Sequence, residues 1–192
     1  MRITKEQLLV IIDPQKDFIN PDGAYAKRHS GIRQILECKR KINELLAETP
    51  AERLLVIYSD YLPNQFGAGL SMAIPGTSGH QIDIAIQVSH RLIAKTAHSS
   101  FSSEEFSSHL EKNNIKELIL CGFLAEYCVK QTAIDGLSRG YKVSVLSELT
   151  GTGDDVQERK AQALKELQQY PLFSSDHQDF KRSENANSAD EV

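Results

Sequence analysis

The stretch LILCGFLAEYCVKQTA, residues 118–133, decides the fold. It opens as a run of branched aliphatics that is apolar on both alternating faces, breaks at Gly122, and resumes after a short turn with helical spacing. A strand that offers apolar side chains to both sides needs cover on both sides, as in the parallel sheet of an α/β protein. The same unit recurs along the chain. LLVIID (8–13), LLVIYS (54–59), ELILCG (117–122) and KVSVLS (142–147) read as buried strands, RLIAK (91–95) as a shorter fifth, and PLFSS (171–175) as a weak edge strand. Between them lie helical stretches. Residues 32–46 place Ile32, Ile35, Leu36, Ile42, Leu45 and Leu46 along one stripe. Residues 128–139 put Val129, Thr132, Ala133 and Leu137 on one side and stop at Gly140, and residues 154–169 open on Asp154 and Asp155, which suit a helix N-terminus. This alternation predicts a single α/β domain over residues 1–173 with a mainly parallel sheet. The polar stretch 174–192 carries no apolar periodicity and is expected to form a flexible tail. No internal repeat is present.

With 192 residues, 40% of them hydrophobic, the chain can bury a core that needs neither metal nor disulfide. No run approaches the roughly 18 uncharged apolar residues of a membrane span, and Lys5 and Glu6 precede the first apolar run, so no secretory signal is expected. A formal net charge of −4 without a basic block argues against nucleic acid as the main partner. Three cysteines, Cys38, Cys121 and Cys128, show no framework spacing; this pattern suits a reducing cytoplasm better than a stapled secreted fold.

In open α/β sheets, ligands bind beyond the carboxyl ends of the strands. Asp13 closes LLVIID, Lys95 closes RLIAK, Cys128 lies six residues past Gly122, and Asp60 follows LLVIYS. Cys128 stands at the expected start of a helix, where backbone amides and the dipole favour a thiolate; the alternative is a small buried hydrophobe, the reading given to Cys38 and Cys121. Asp13, followed by Pro14, can cap a turn or serve as a general base. Asp17 reads as structural, bonding local amides. Lys95 can lead its ammonium out to solvent, or, beside Asp13 and Cys128, keep the carboxylate ionised and the thiol acidic. Together the three would supply nucleophile, base and electrostatic organiser.

LLVIIDPQKDF, KTAHSSF and LILCGFLAEYCVKQTAIDGLSRGYKV resemble the isochorismatase-like cysteine hydrolases, the superfamily that contains nicotinamidases and N-carbamoylsarcosine amidases. The resemblance runs in order from about residue 7 to about residue 150. It implies a three-layer α/β/α fold with a six-stranded, mainly parallel sheet, and a triad of Asp13, Lys95 and Cys128. It also implies a cis peptide between Phe123 and Leu124, with the N–H groups of Leu124 and Cys128 as the oxyanion hole. It further implies a homo-oligomer and a small-molecule amide substrate, the bond being cut through a thioester. Phe18, Tyr61, Phe66, Phe101 and Tyr127 are candidate walls of the pocket, or core residues.

Departures from the family narrow the expectation. Nicotinamidases carry Asp-x-His and a further His after the second strand, which bind a divalent metal. Here SDYLPNQF keeps Asp60 but has Leu62 in place of the first His, and no His occurs between His29 and His80. A zinc or iron site needs about three protein ligands, so no metal and no other cofactor is expected; His80, in PGTSGHQI, reads as a surface or helix-capping residue. KTAHSSF runs from Lys directly to Ser-Ser-Phe, as in isochorismatase and carbamoylsarcosine-type members, and IPGTSG (74–79) matches the family's Pro-Gly-Thr loop at the active site. The leading expectation is a metal-independent cysteine amidohydrolase. The alternatives are isochorismatase-type ether hydrolysis with Cys128 incidental, a nicotinamidase, and a catalytically idle interaction module.

Overall fold

The computed structural model describes residues 3–175. Six strands, β1 (Gln7–Ile12), β2 (Leu54–Ser59), β3 (Arg91–Lys95), β4 (Glu117–Phe123), β5 (Lys142–Gly151) and β6 (Phe173–Ser175), form one sheet in the order β3-β2-β1-β4-β5-β6. Every pairing is parallel. The strand order reverses at β1, whose neighbours are β2 and β4, so the crevice beyond its carboxyl end is the expected ligand position.

Alternation along the strands sorts the core into two layers. Leu9, Ile11, Val56, Ile119 and Cys121 face α2 (Arg33–Glu48), which contributes Ile35, Cys38 and Ile42. Leu8, Val10, Ile12, Leu55, Leu118 and Leu120 face the other way, toward Phe106 and Leu110 of α3 (Glu104–Lys112), Ala133 of α4 (Lys130–Ser138) and Leu167 of α5 (Gln157–Leu167). The result is helices on both faces of the sheet, with a short α1 (Lys16–Ile19) after β1.

Several expected elements shift. The helix expected over 128–139 divides into a π-helical turn, Ala125–Val129, followed by α4, which places Cys128 in the turn and not in the helix. The helix expected over 154–169 begins with a 3₁₀ turn, Asp154–Val156, and α5 ends at Leu167. Asp154 does not cap its own helix. Its carboxylate accepts from the backbone N–H groups of Arg33 (2.9 Å) and Gln34 (3.0 Å), so it caps α2 from across the chain. The helix α3 has no counterpart in the sequence reading. β6 extends to Ser175, so the expected boundary at 174 falls inside a strand, and the remainder of the proposed tail lies outside the described residues. Among the described residues no helix is long and apolar enough to cross a membrane.

Candidate active site

Three strand ends converge on one buried cluster. After β1 the backbone of Asp13 turns with φ 53°, and its N–H donates to the carbonyl of Ile57 at 2.8 Å, so the chain leaves the sheet with the carboxylate at its edge. Lys95 ends β3 in register with Ser59, the last residue of β2. Lys95 Nζ lies 2.9 Å from Asp13 Oδ2, and neither side chain has any exposed surface. Ser59 links them: its Oγ donates to Asp13 Oδ1 (2.8 Å) and accepts from Lys95 Nζ (2.7 Å). The ammonium also donates to the Tyr61 hydroxyl (2.8 Å) and the Ala97 carbonyl (3.0 Å), and lies 3.5 Å from Cys128 Sγ. Asp13 Oδ2 meets the ammonium as an ion pair and has no further hydrogen bond of its own. Gln15 holds the strand ends together, accepting from Ser59 N–H (2.7 Å) and donating to the carbonyls of Ser59 and His80 (2.9 Å each).

Cys128 reaches this cluster from β4. Gly122 has φ 114°, and a Cβ there would stand 2.2 Å from the carbonyl oxygen of Ile12, so only glycine lets β4 and β1 approach so closely at their ends. The Phe123–Leu124 peptide that follows is cis. The carbonyl of Leu124 then accepts from the N–H groups of Tyr127 and Val129 (3.2 Å each), closing the π-helical turn that carries Cys128 inward.

Burial, which disfavours the ammonium of Lys95, is outweighed chiefly by the charge of Asp13, and its pKa is raised; it stays charged. The Cys128 thiol is pushed up to about 12. Burial is the main cause, Asp13 adds to it, and Lys95 only partly offsets it. This corrects the expectation of an acidic thiol: the sulfur is buried, and the nearby ammonium is already matched by Asp13. Burial also pushes up the Tyr61 hydroxyl, which lies 3.5 Å from Sγ.

Above Cys128 opens a cavity of about 420 Å³, lined among others by Phe18, Tyr61, Phe66, Leu124 and Tyr127. Four of the five expected aromatic residues are therefore brought to it. Phe101 is not. The 3₁₀ turn Ser100–Ser102 sends it to the α3 and α4 side, where it meets Phe106 (5.0 Å between ring centres) and Tyr141 (6.0 Å) under the guanidinium of Arg139. The sequence reading missed Ser59, Tyr25, Arg28, His98 and Arg159. Ser59 carried a signal, a lone hydroxyl closing an apolar strand; the cavity residues arrive from separate turns and helices and carried none.

Asp60 and His80 meet each other, His80 Nε2 lying 2.6 Å from Asp60 Oδ1, so His80 is neither a free surface residue nor a helix cap. Among the described residues no group of three or more His, Cys, Asp or Glu is placed to hold a metal ion, and Leu62, 70% exposed, offers only carbon. This donor set does not fit the divalent metal that nicotinamidases carry. Asp17 is structural, accepting from the N–H groups of Ala24 (3.2 Å) and Ala73 (2.8 Å). Cys38 and Cys121 are buried free thiols on the α2 face, as expected of packing residues.

The family model for the isochorismatase domain matches residues 7–179. A secreted isochorismatase effector of Verticillium dahliae is 28% identical over 153 residues, 79% of this chain and 75% of that protein. A streptothricin hydrolase of Streptomyces noursei is 27% identical over 150 residues, 77% of this chain, and the match spans about half of that relative, 55%. Among solved structures, the pyrazinamidase of Pyrococcus horikoshii in complex with zinc shares the fold with a TM-score of 0.74 at 22% identity, covering 89% of this chain and 99% of that one.

Proposed function

Since the chain belongs to the isochorismatase family of hydrolases, we propose that it cleaves the C–N bond of a small amide through a Cys128 thioester, with Asp13 as proton carrier and without a metal. The observation that supports this best is the buried cluster beneath the cavity, in which Lys95 Nζ lies 2.9 Å from Asp13 Oδ2 and 3.5 Å from Cys128 Sγ. Burial raises the Cys128 thiol above its ordinary value, so in this mechanism its proton leaves as attack begins.

Asp13 takes the Sγ proton, the S–C bond forms, and the carbonyl oxygen becomes an oxyanion facing the N–H groups of Leu124 and Cys128. Asp13 passes its proton to the nitrogen, the C–N bond breaks, and ammonia or an amine leaves a thioester. Water attacks that carbonyl while Asp13 takes its proton; the C–S bond breaks and the proton returns to sulfur. Lys95 stays protonated throughout, holding both anions of the cycle. Phe18, Tyr61, Phe66 and Tyr127 would wall the substrate. A homo-oligomer and a reducing compartment, where a reactive thiol escapes oxidation, belong to the same reading.

The test is an ammonia-release screen over small amides, with and without a chelator, on the wild type and on Cys128→Ser. Turnover is expected to survive the chelator and to fall by about 10³-fold or more in the variant. Full turnover by Cys128→Ser would assign the chemistry to amide cleavage without a thioester, and chelator-sensitive turnover would overturn the metal-free mechanism.

A further inference from the structure

The cavity above Cys128 carries charge that the hydrolytic cycle does not use. No Asp or Glu is among the residues lining it, yet five basic side chains border it or lie just beneath. Three are accounted for. Lys95 is matched by Asp13. His29 pairs with Asp155 at 2.9 Å. His98 packs between Phe66 (4.3 Å) and Tyr127 (5.5 Å), where burial and the nearby Lys95 hold it below the ordinary imidazole value and so neutral.

Two guanidiniums remain. Arg28, at the end of the 3₁₀ turn Ala26–Arg28, donates to the carbonyl of Gly69, and Arg159, on α5, has no hydrogen bond or ion pair among the described residues. Neither forms an ion pair among those residues; of the three carboxylates that share a groove with Arg159, Glu166 pairs with Lys130, Glu158 forms no ion pair, and Glu126 is buried with one oxygen bonded to Thr152. Arginine is always charged, and its planar fork matches a carboxylate through two parallel N–H donors. Cations without an ion-pair partner at the rim of a largely apolar cavity that no carboxylate lines favour anions inside it.

We infer that the substrate is an amide that also bears a carboxylate, held by Arg28 and Arg159 at the end remote from the bond that Cys128 attacks. This rests on the amidase reading and narrows it: amides with a neutral or cationic far end are the poorer substrates.

Two probes isolate the charge: para-carbamoylbenzoate and its methyl ester, which present the same amide with and without the anion. The wild type is expected to show kcat/KM about tenfold higher for the acid, with the preference shrinking in about 0.5 M salt because both arginines are exposed. In Arg28→Glu and Arg159→Glu the preference is expected to fall to unity or invert. Ammonia release without preference between the probes, or a preference that survives both charge reversals, overturns the inference and leaves the amidase reading standing. If neither probe releases ammonia, the amidase reading fails for these amides, and calorimetry on Cys128→Ala decides the inference by itself. Acid bound about tenfold more tightly than ester, with the difference lost in Arg159→Glu, supports the carboxylate site; equal binding, or none, overturns it.

Discussion

Cys128 holds its proton because burial outweighs the ammonium 3.5 Å away, and the same burial sets what Lys95 and Asp13 do for the fold. Each is fully buried and each is the other's counter-charge, so removing one strands the other in a low dielectric. Lys95→Met is expected to destabilise the chain by about 3–5 kcal/mol. The double variant Asp13→Asn with Lys95→Met, which leaves two neutral side chains, is expected to regain most of that loss. Urea unfolding of the four proteins of this cycle checks it; a double variant no more stable than Lys95→Met would show that the pair is not the source of the loss. The three residues were legible in the sequence because each stands at or just beyond a strand end, where chemistry concentrates in such sheets. The protonation of Cys128 was not legible. It depends on how much protein the π-helical turn packs around the sulfur, which no local spacing records. Phe101 misled for a related reason: its neighbours Ser99 and Ser102 close a 3₁₀ turn that aims it away from the cavity.

Strands were easier to read than helices because β1, β2 and β4 are buried on both faces and so are written as continuous apolar runs. The helix α3, EEFSSHLEK, buries only Phe106 and Leu110, four residues apart, and two anchors in nine residues are too few to establish a period. Capping was misassigned by the same locality. Asp154 and Asp155 stand before α5 in sequence, yet Asp154 serves α2, and Asp155 pairs with His29. The two backbone donors that Asp154 satisfies lie at the first turn of α2, so Asp154→Ala is expected to cost about 1 kcal/mol. Asp154→Asn, which keeps one side-chain acceptor oxygen, should lose less. Thermal unfolding with amide hydrogen exchange distinguishes the helices: faster exchange at the start of α2 supports the assignment, and faster exchange confined to α5 contradicts it.

At the scale of the whole molecule, all three thiols are buried, and each has its pKa raised, mainly by burial: Cys38 to about 11, Cys128 to about 12, and Cys121 higher still. An unfolded chain releases these protons near the ordinary thiol value of 9.0, whereas the folded chain keeps them. Below that value both states hold the protons and stability does not depend on them. Above it the unfolded state binds fewer protons than the folded one, so stability falls as pH rises, by about 1.4 kcal/mol per pH unit for each thiol. The raised pKa values of Tyr61 and Lys95 act in the same direction but only from their own ordinary values, 10.0 and 10.5, so the thiols alone govern the lower part of the window. Stability measured by urea unfolding under reducing conditions is expected to be level from about pH 7 to 8, and to drop by about 2–4 kcal/mol by about pH 10. Replacing Cys38 and Cys121 by Ala should remove about two thirds of that slope while leaving Cys128 in place. A wild-type chain as stable at the alkaline end as at neutrality would mean that water reaches the thiols, and with it the account of Cys128 as a neutral nucleophile awaiting Asp13 would fall.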